Sequence, residues 1–140
     1  MNATVTHSAD ATEAAGEGLG RTLAAGDVVG LCGELGAGKT CFVRGVARAL
    51  GVEGRPVSPT FTLINEYRGV RPVYHVDAYR VESLAELAAL GLEEYFDGDG
   101  VTLVEWADAM RALLPARTIW VRIEGVGDEP RTISVCRPPA

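Results

Sequence analysis

The sequence predicts an α/β fold: a three-layer sandwich in which a mixed, mainly parallel sheet carries helices on both faces. Three observations predict it. Short apolar runs of strand length alternate with segments of helical periodicity. A glycine-rich loop joins an apolar run to a helical segment, and two neighbouring β-rich runs supply one antiparallel hairpin. At 140 residues the chain can bury about two-thirds of its unfolded surface, enough for one core. A single domain over residues 1–140 is expected.

The elements follow in order. A helix is expected from Ser8 to about Ala24, with Asp10 and Glu13 at capping-box spacing and Gly26 as the stop. Asp27 to Cys32 is a short apolar run that reads as a buried strand. Lys39 to Leu50 reads as a helix with Phe42, Val43, Val46, Ala47 and Leu50 on one face and Gly51 as terminator. Pro56 and Pro59 make 54–59 a loop. Thr60 to Tyr67 and Val73 to Tyr79 read as an antiparallel pair of strands. Ser83 and Glu86 form a capping box that opens a short helix closed by Gly91. Val101 to Val104 is another buried strand, and a helix from about Asp108 to Leu114 ends at Pro115. Thr118 to Ile123 and Thr132 to Cys136 close the chain as strands around a glycine-rich turn.

The loop between the first strand and its helix is Gly33-Glu34-Leu35-Gly36-Ala37-Gly38-Lys39-Thr40, which matches the P-loop (Walker A) pattern. Its glycines let main-chain N–H groups turn inward around an anion, and the following helix aims its positive end at the same point. Lys39 is the only lysine; the other twelve cations are arginines. A compact ammonium suits reaching along a phosphate chain better than a planar guanidinium does. Thr40 would offer its hydroxyl to Mg²⁺. The architecture expected is therefore P-loop NTPase-like.

Two acids stand where such a site needs them. Glu105 ends the run Val101–Val104, and Asp77 ends Val73–Val76. Ligands of open α/β sheets gather beyond the carboxyl ends of the strands, where an acid can hold Mg²⁺ directly or through water. The alternative for each is a surface carboxylate at a strand end. His75 alternates with apolar residues and reads as a core histidine. Trp106 reads as a packing residue, and Arg44 and Arg48 as a solvated helix face. Arg80 could meet a phosphate or pair with Glu82.

Composition excludes several classes. A net charge of −6 opposes direct DNA or RNA binding through a basic groove, so contact with nucleic acid is expected only through a partner. Cys32, Cys41 and Cys136 form no C-x-x-C pair, so they read as reduced thiols, with Cys32 and Cys41 small and buried. No leader or membrane-length apolar run is seen, and a cytoplasmic protein is expected. The Asn-Lys-x-Asp guanine signature is absent, as is any glutamine to position water, which predicts slow unaided hydrolysis.

The P-loop, Ser58-Pro59-Thr60-Phe61-Thr62-Leu63, His75-Val76-Asp77-Ala78-Tyr79-Arg80 and Val104-Glu105-Trp106 together resemble the ordered motifs of the bacterial TsaE family. The resemblance implies an ATPase required for threonylcarbamoyladenosine formation on tRNA. It implies action with the TsaD–TsaB complex, downstream of the TsaC enzyme that makes threonylcarbamoyl-adenylate. It places ATP phosphates on Leu35 to Thr40, Mg²⁺ on Thr40 and Glu105, and Asp77 near the γ-phosphate. It makes Thr60 a switch residue sensing that phosphate, sets Trp106 beside the site, puts the adenine near Ser8 to Ala11, and places the family's late Gly-Arg element, a nucleotide-binding feature, near Arg131. Two other readings of the residues stay open: a small-molecule kinase, although 79–91 offers only Arg80 for a lid, and a non-catalytic nucleotide-sensing module.

Overall fold

The computed structural model describes residues 2–33, 38–53, 64–77, 85, 89, 91–125 and 127–138. In chain order the elements are β1 (Asn2–Thr6), α1 (Ala9–Gly20), β2 (Val28–Gly33), α2 (Lys39–Ala49), β3 (Ile64–Arg68) and β4 (Pro72–Asp77). Then come α3 (Leu92–Phe96), β5 (Val101–Glu105), a 3-10 segment (Ala107–Leu113), β6 (Ile119–Glu124) and β7 (Arg131–Cys136). Among the described residues the strands form one seven-stranded sheet in the order β1-β7-β6-β2-β5-β4-β3.

The four central strands β6, β2, β5 and β4 run parallel, and the edge pairs β1–β7, β6–β7 and β3–β4 are antiparallel. The sheet is mixed as expected, but parallel pairing rules only its centre. Strands at the centre of a sheet are buried on both sides and so mostly apolar, as β2 and β5 are; every residue of β5 is buried, the polar Thr102 and Glu105 included. Successive side chains then serve opposite faces. Val29, Leu31 and Leu103 join a cluster with Phe42, Val43 and Val46 of α2 and Leu19 of α1. Val28, Cys32 and Val104 join another with Leu92 and Phe96 of α3 and Met110 of the 3-10 segment.

α1 and α2 touch backbone to backbone. A Cβ built on Gly45 would lie 1.8 Å from the Glu13 carbonyl oxygen, and one on Gly16 would lie 2.1 Å from that of Phe42. Hydrogen atoms in place of side chains are what allow this approach. Across the solvent edge of the same contact, Arg48 pairs with Glu17 at 2.9 Å and Glu13 at 3.5 Å, in keeping with a solvated face.

Several expectations need correcting. α1 is capped by Ser8, whose Oγ accepts from Ala11 N–H at 3.1 Å, and not by the Asp10–Glu13 box. It ends at Gly20 and not near Ala24, because the Thr22 hydroxyl and the Thr22 N–H both turn back to the Leu19 carbonyl. β1 was not expected: Asn-Ala-Thr-Val-Thr has too little apolar content, and its pairing with β7 is what makes it a strand. α3 was also unexpected, with Gly91 as its left-handed N-cap at φ 69°. The element after β5 is 3-10, with Met110 at non-helical angles. Most of the helix expected from Ser83 lies outside the described residues, although Ala89 N–H donates to Ala85 O at 3.1 Å, one helical bond. Among the described residues no helix is long and apolar enough to cross a membrane.

Candidate functional site

The parallel register brings the expected site residues to one end of the sheet. Glu105 pairs with Leu31, just before Gly33, on one side and with Asp77 on the other. The P-loop strand and both acids therefore meet at the carboxyl ends of β2, β5 and β4. Asp77 is 7% exposed, Glu105 4% and Lys39 5%. Two carboxylates and an ammonium are thus drawn out of water together, an arrangement that needs strong mutual or ligand contacts.

Lys39 opens α2. The N-cap before it, Gly38, has φ 99° and ψ 19°, a left-handed turn that side-chain-bearing residues resist. Gly38 cannot cap the helix with a side chain, and the first turn of α2 carries no acid, whereas α1 has both Ser8 and Asp10. Among the described residues no side chain caps the positive end of α2, the end of a helix that favours an anion. The Lys39 Nζ donates to the Gly33 carbonyl at 2.5 Å and sits 3.5 Å from the centroid of the Trp106 ring. Burial pushes this ammonium below the ordinary lysine range, and the charges of Glu105 and Asp108 oppose that shift.

Trp106 does more than pack. Among the described residues it is the one non-glycine at positive φ, 59°, a conformation that strains an L-residue by roughly 1–2 kcal/mol. Directly after Glu105, the turn brings the indole face to the ammonium, a cation–π contact. Strain of this kind is held where the surroundings over-determine it, which is common at ligand sites.

His75, read from sequence as a core histidine, is fully buried, but its Nε2 lies 2.5 Å from Glu105 Oε2. It belongs to the site as well as to the core. The alternation of His with apolar residues gave its burial; nothing local could give its partner. The hard oxygen donors of Asp77, Glu105 and Thr40 suit Mg²⁺. Among the described residues no three His, Cys, Asp or Glu side chains cluster as a metal site.

Beside Gly38 lies a cavity of about 390 Å³, lined by Thr6, Ser8, Ala9, Thr12, Cys41 and Arg131 among others. Ser8, expected near the adenine, and Arg131, expected to bind nucleotide as part of the late Gly-Arg element, therefore line one cavity next to α2, 123 positions apart in sequence. Arg131 also donates to the Glu129 carbonyl, and to that of Gly127 at 3.1 Å. Cys32 is buried as expected, whereas Cys41 is only partly so and faces this cavity. Thr6 and Thr12, whose hydroxyls lie 2.8 Å apart, escaped the sequence reading because β1 did. Glu34, Leu35, Gly36, Ala37, Thr60 and Arg80 lie outside the described residues.

A family model described as threonylcarbamoyl adenosine biosynthesis protein TsaE matches residues 6–133. The chain belongs to the TsaE family. Its TsaE relatives include tRNA threonylcarbamoyladenosine biosynthesis protein TsaE of Bacillus subtilis, 50% identical over 110 residues, covering 78% of this chain and 68% of that protein. The protein of the same name from Treponema pallidum is 41% identical over 131 residues, 94% of this chain and 97% of that one. The crystal structure of Bacillus subtilis YdiB matches with a TM-score of 0.81 at 37% identity, covering 99% of this chain and 86% of that one. The TsaE match spans both the cavity at Ser8 and Arg131 and the acids at the strand ends.

Proposed function

We propose that this TsaE-family chain is a Mg²⁺-dependent ATPase of P-loop NTPase-like architecture, with helices on both faces of its sheet. It acts in the cytoplasm on the TsaD–TsaB complex to support threonylcarbamoyladenosine modification of tRNA. It meets tRNA only through that complex. The names of its relatives support the pathway. The observation that carries the chemistry is Lys39, a desolvated ammonium at the start of α2, near two buried carboxylates at the sheet end.

The ammonium is held by a carbonyl and an indole face, contacts that a phosphate chain outbids because it carries full negative charge. Lys39 then turns to the β,γ-phosphates, while the N–H groups opening α2 bind the same chain. Thr40 and Glu105 would hold Mg²⁺, which supplies Lewis-acid neutralisation of the phosphate oxygens. Asp77 orients the water whose oxygen attacks the γ-phosphorus as the bond to the ADP oxygen breaks. Ser8, Ala9 and Arg131 border the base. Thr60 senses the γ-phosphate, so its loop relaxes after hydrolysis and affinity for TsaD–TsaB changes.

The test is ATP turnover and nucleotide binding with purified TsaD–TsaB present and absent. Lys39→Ala is expected to lose roughly 1.5–3 kcal/mol of nucleotide binding, the worth of hydrogen bonds to charged groups. Unchanged turnover in that variant refutes the site. Labelled γ-phosphate recovered on a metabolite, and not as inorganic phosphate, refutes hydrolysis in favour of a kinase.

A further inference from the structure

We propose that His75 is a positioning residue for Glu105: it fixes the carboxylate in the orientation that serves Mg²⁺. The proposal rests on the metal role given to Glu105 above.

The contact is not one that sheet geometry supplies by default. In the parallel register His75 stands opposite Leu103, and Asp77 stands opposite Glu105. His75 therefore reaches diagonally, two residues towards the strand end, to meet Glu105. Diagonal neighbours in sheets stand several ångströms farther apart than direct ones, within reach only of aromatic and long side chains. Asparagine would fall short and phenylalanine would arrive without a donor. Imidazole spans the gap and ends in one. At 2.5 Å between groups 0% and 4% exposed, the bond is of the short, charge-assisted kind.

The donors can be ordered. An ionised carboxylate only accepts, so Nε2 carries the hydrogen shared with Glu105. On the far side Nδ1 lies 3.4 Å from the Tyr67 hydroxyl, which lies 3.5 Å from Asn65 Nδ2. An amide nitrogen only donates. The Asn65 amide therefore gives to the phenol oxygen, the phenol gives to Nδ1, and Nε2–H gives to Glu105. These outer links are long and weak; they select the tautomer, while the short inner bond holds the carboxylate. The relay crosses from the edge strand β3 through β4 to β5, so the orientation of Glu105 is set by three strands. Residues that orient a metal ligand in this way commonly govern its affinity for the ion.

The experiment titrates Mg²⁺ into the full-length protein with the non-hydrolysable ATP analogue AMP-PNP and follows analogue affinity. His75→Phe is expected to raise the Mg²⁺ concentration for half-maximal tightening by about 10–100-fold, a much larger change than that in affinity without Mg²⁺. His75→Gln, which keeps an N–H donor, restores most of that loss, and Tyr67→Phe shifts it far less. A purely structural histidine would not divide the two affinities in this way or be rescued by glutamine. Independently, ¹⁵N NMR of the metal-free wild type is expected to show His75 protonated at Nε2 and bare at Nδ1. The proposal is overturned if His75→Phe keeps the wild-type Mg²⁺ midpoint while Glu105→Ala raises it, or if His75 proves to be the Nδ1–H tautomer. If Glu105→Ala itself leaves the midpoint unmoved, the metal reading fails first and this one falls with it. Should His75→Phe not fold, the glutamine and Tyr67 variants and the tautomer decide the matter.

Discussion

Gly45→Ala tests the contact that seats the P-loop helix. On an open helix face, replacing glycine by alanine stabilises by about 1 kcal/mol, because glycine loses more backbone freedom on folding. At Gly45 the new methyl would stand 1.8 Å from the Glu13 carbonyl oxygen and 2.8 Å from the Glu17 nitrogen, both backbone atoms of α1. Ordinary contact begins at 3.4 Å, so the helices would have to part by about 1.6 Å. A gap of 0.5–1 Å already forfeits a quarter to a half of the dispersion between facing atoms, and overpacking typically costs about 1–3 kcal/mol. The backbone-to-backbone clash puts the cost at the upper end of that range, so after the propensity gain a net loss of up to about 2 kcal/mol is expected. Gly18, in α1 with nothing within 4 Å of its would-be Cβ, is the control, where alanine is expected to stabilise by about 0.5–1 kcal/mol. Urea unfolding midpoints measure both. Because α2 starts with Lys39 and Thr40, the Gly45 variant is also expected to bind nucleotide more weakly. A Gly45→Ala protein as stable as wild type, or gaining as much as Gly18→Ala, refutes the close approach and the reasoning built on it.

Gly38→Ala is expected to weaken nucleotide binding by about tenfold, equivalent to 1.4 kcal/mol, through its φ of 99° alone. Among the described residues the nearest atom to a Cβ there is Thr12 Cγ2, at an ordinary contact distance of 3.6 Å; wild-type affinity by calorimetry would show that the left-handed turn is dispensable. Burial, then the charge of Asp108, pushes the Cys32 thiol above 9.0. Ellman's reagent is therefore expected to modify Cys136 fast, Cys41 slowly and Cys32 only after denaturation. The same shift has a sign in stability. Cys32 favours its neutral form in the fold, so its contribution is intact below pH 9 and is lost as pH rises through the raised value. Cys32→Ala is expected to flatten that alkaline decline in urea midpoints. The Arg48 pairs with Glu13 and Glu17 are exposed, so Arg48→Ala is expected to cost less than about 1 kcal/mol, an effect that vanishes in high salt. A larger, salt-independent loss would mean that Arg48 packs rather than pairs.

What could be read from the residues follows from what is local. The strand before the P-loop, the α2 helix and its stop at Gly51, and the acids at two strand ends are written in apolar periodicity and in residue types that tolerate only certain backbones. Leu50 caps α2, and Gly51 takes φ 81°. Lys39 stands at the start of α2 after the left-handed Gly38, where the P-loop spacing puts it. The readings of Cys32 and of Arg48 also held, since burial and solvation follow from apolar context.

What escaped is what depends on a neighbour. β1 is a strand only because β7 offers an edge to it, and without β1 neither the Thr6–Thr12 contact nor the cavity at Gly38 could be foreseen. Trp106 looked like packing because a left-handed turn at a tryptophan has no sequence signature. His75 looked like core because period-two alternation reports which face a side chain takes, not what stands diagonally across from it. The amino-acid order by itself determined the buried strand β2, the helix α2 with Lys39 at its start, and the acids that end β4 and β5, through short-range sterics and patterning. Only the folded chain decided strand order and register, and these bring Leu31, Glu105 and Asp77 side by side, because pairing between distant strands is a long-range choice that no window of residues contains.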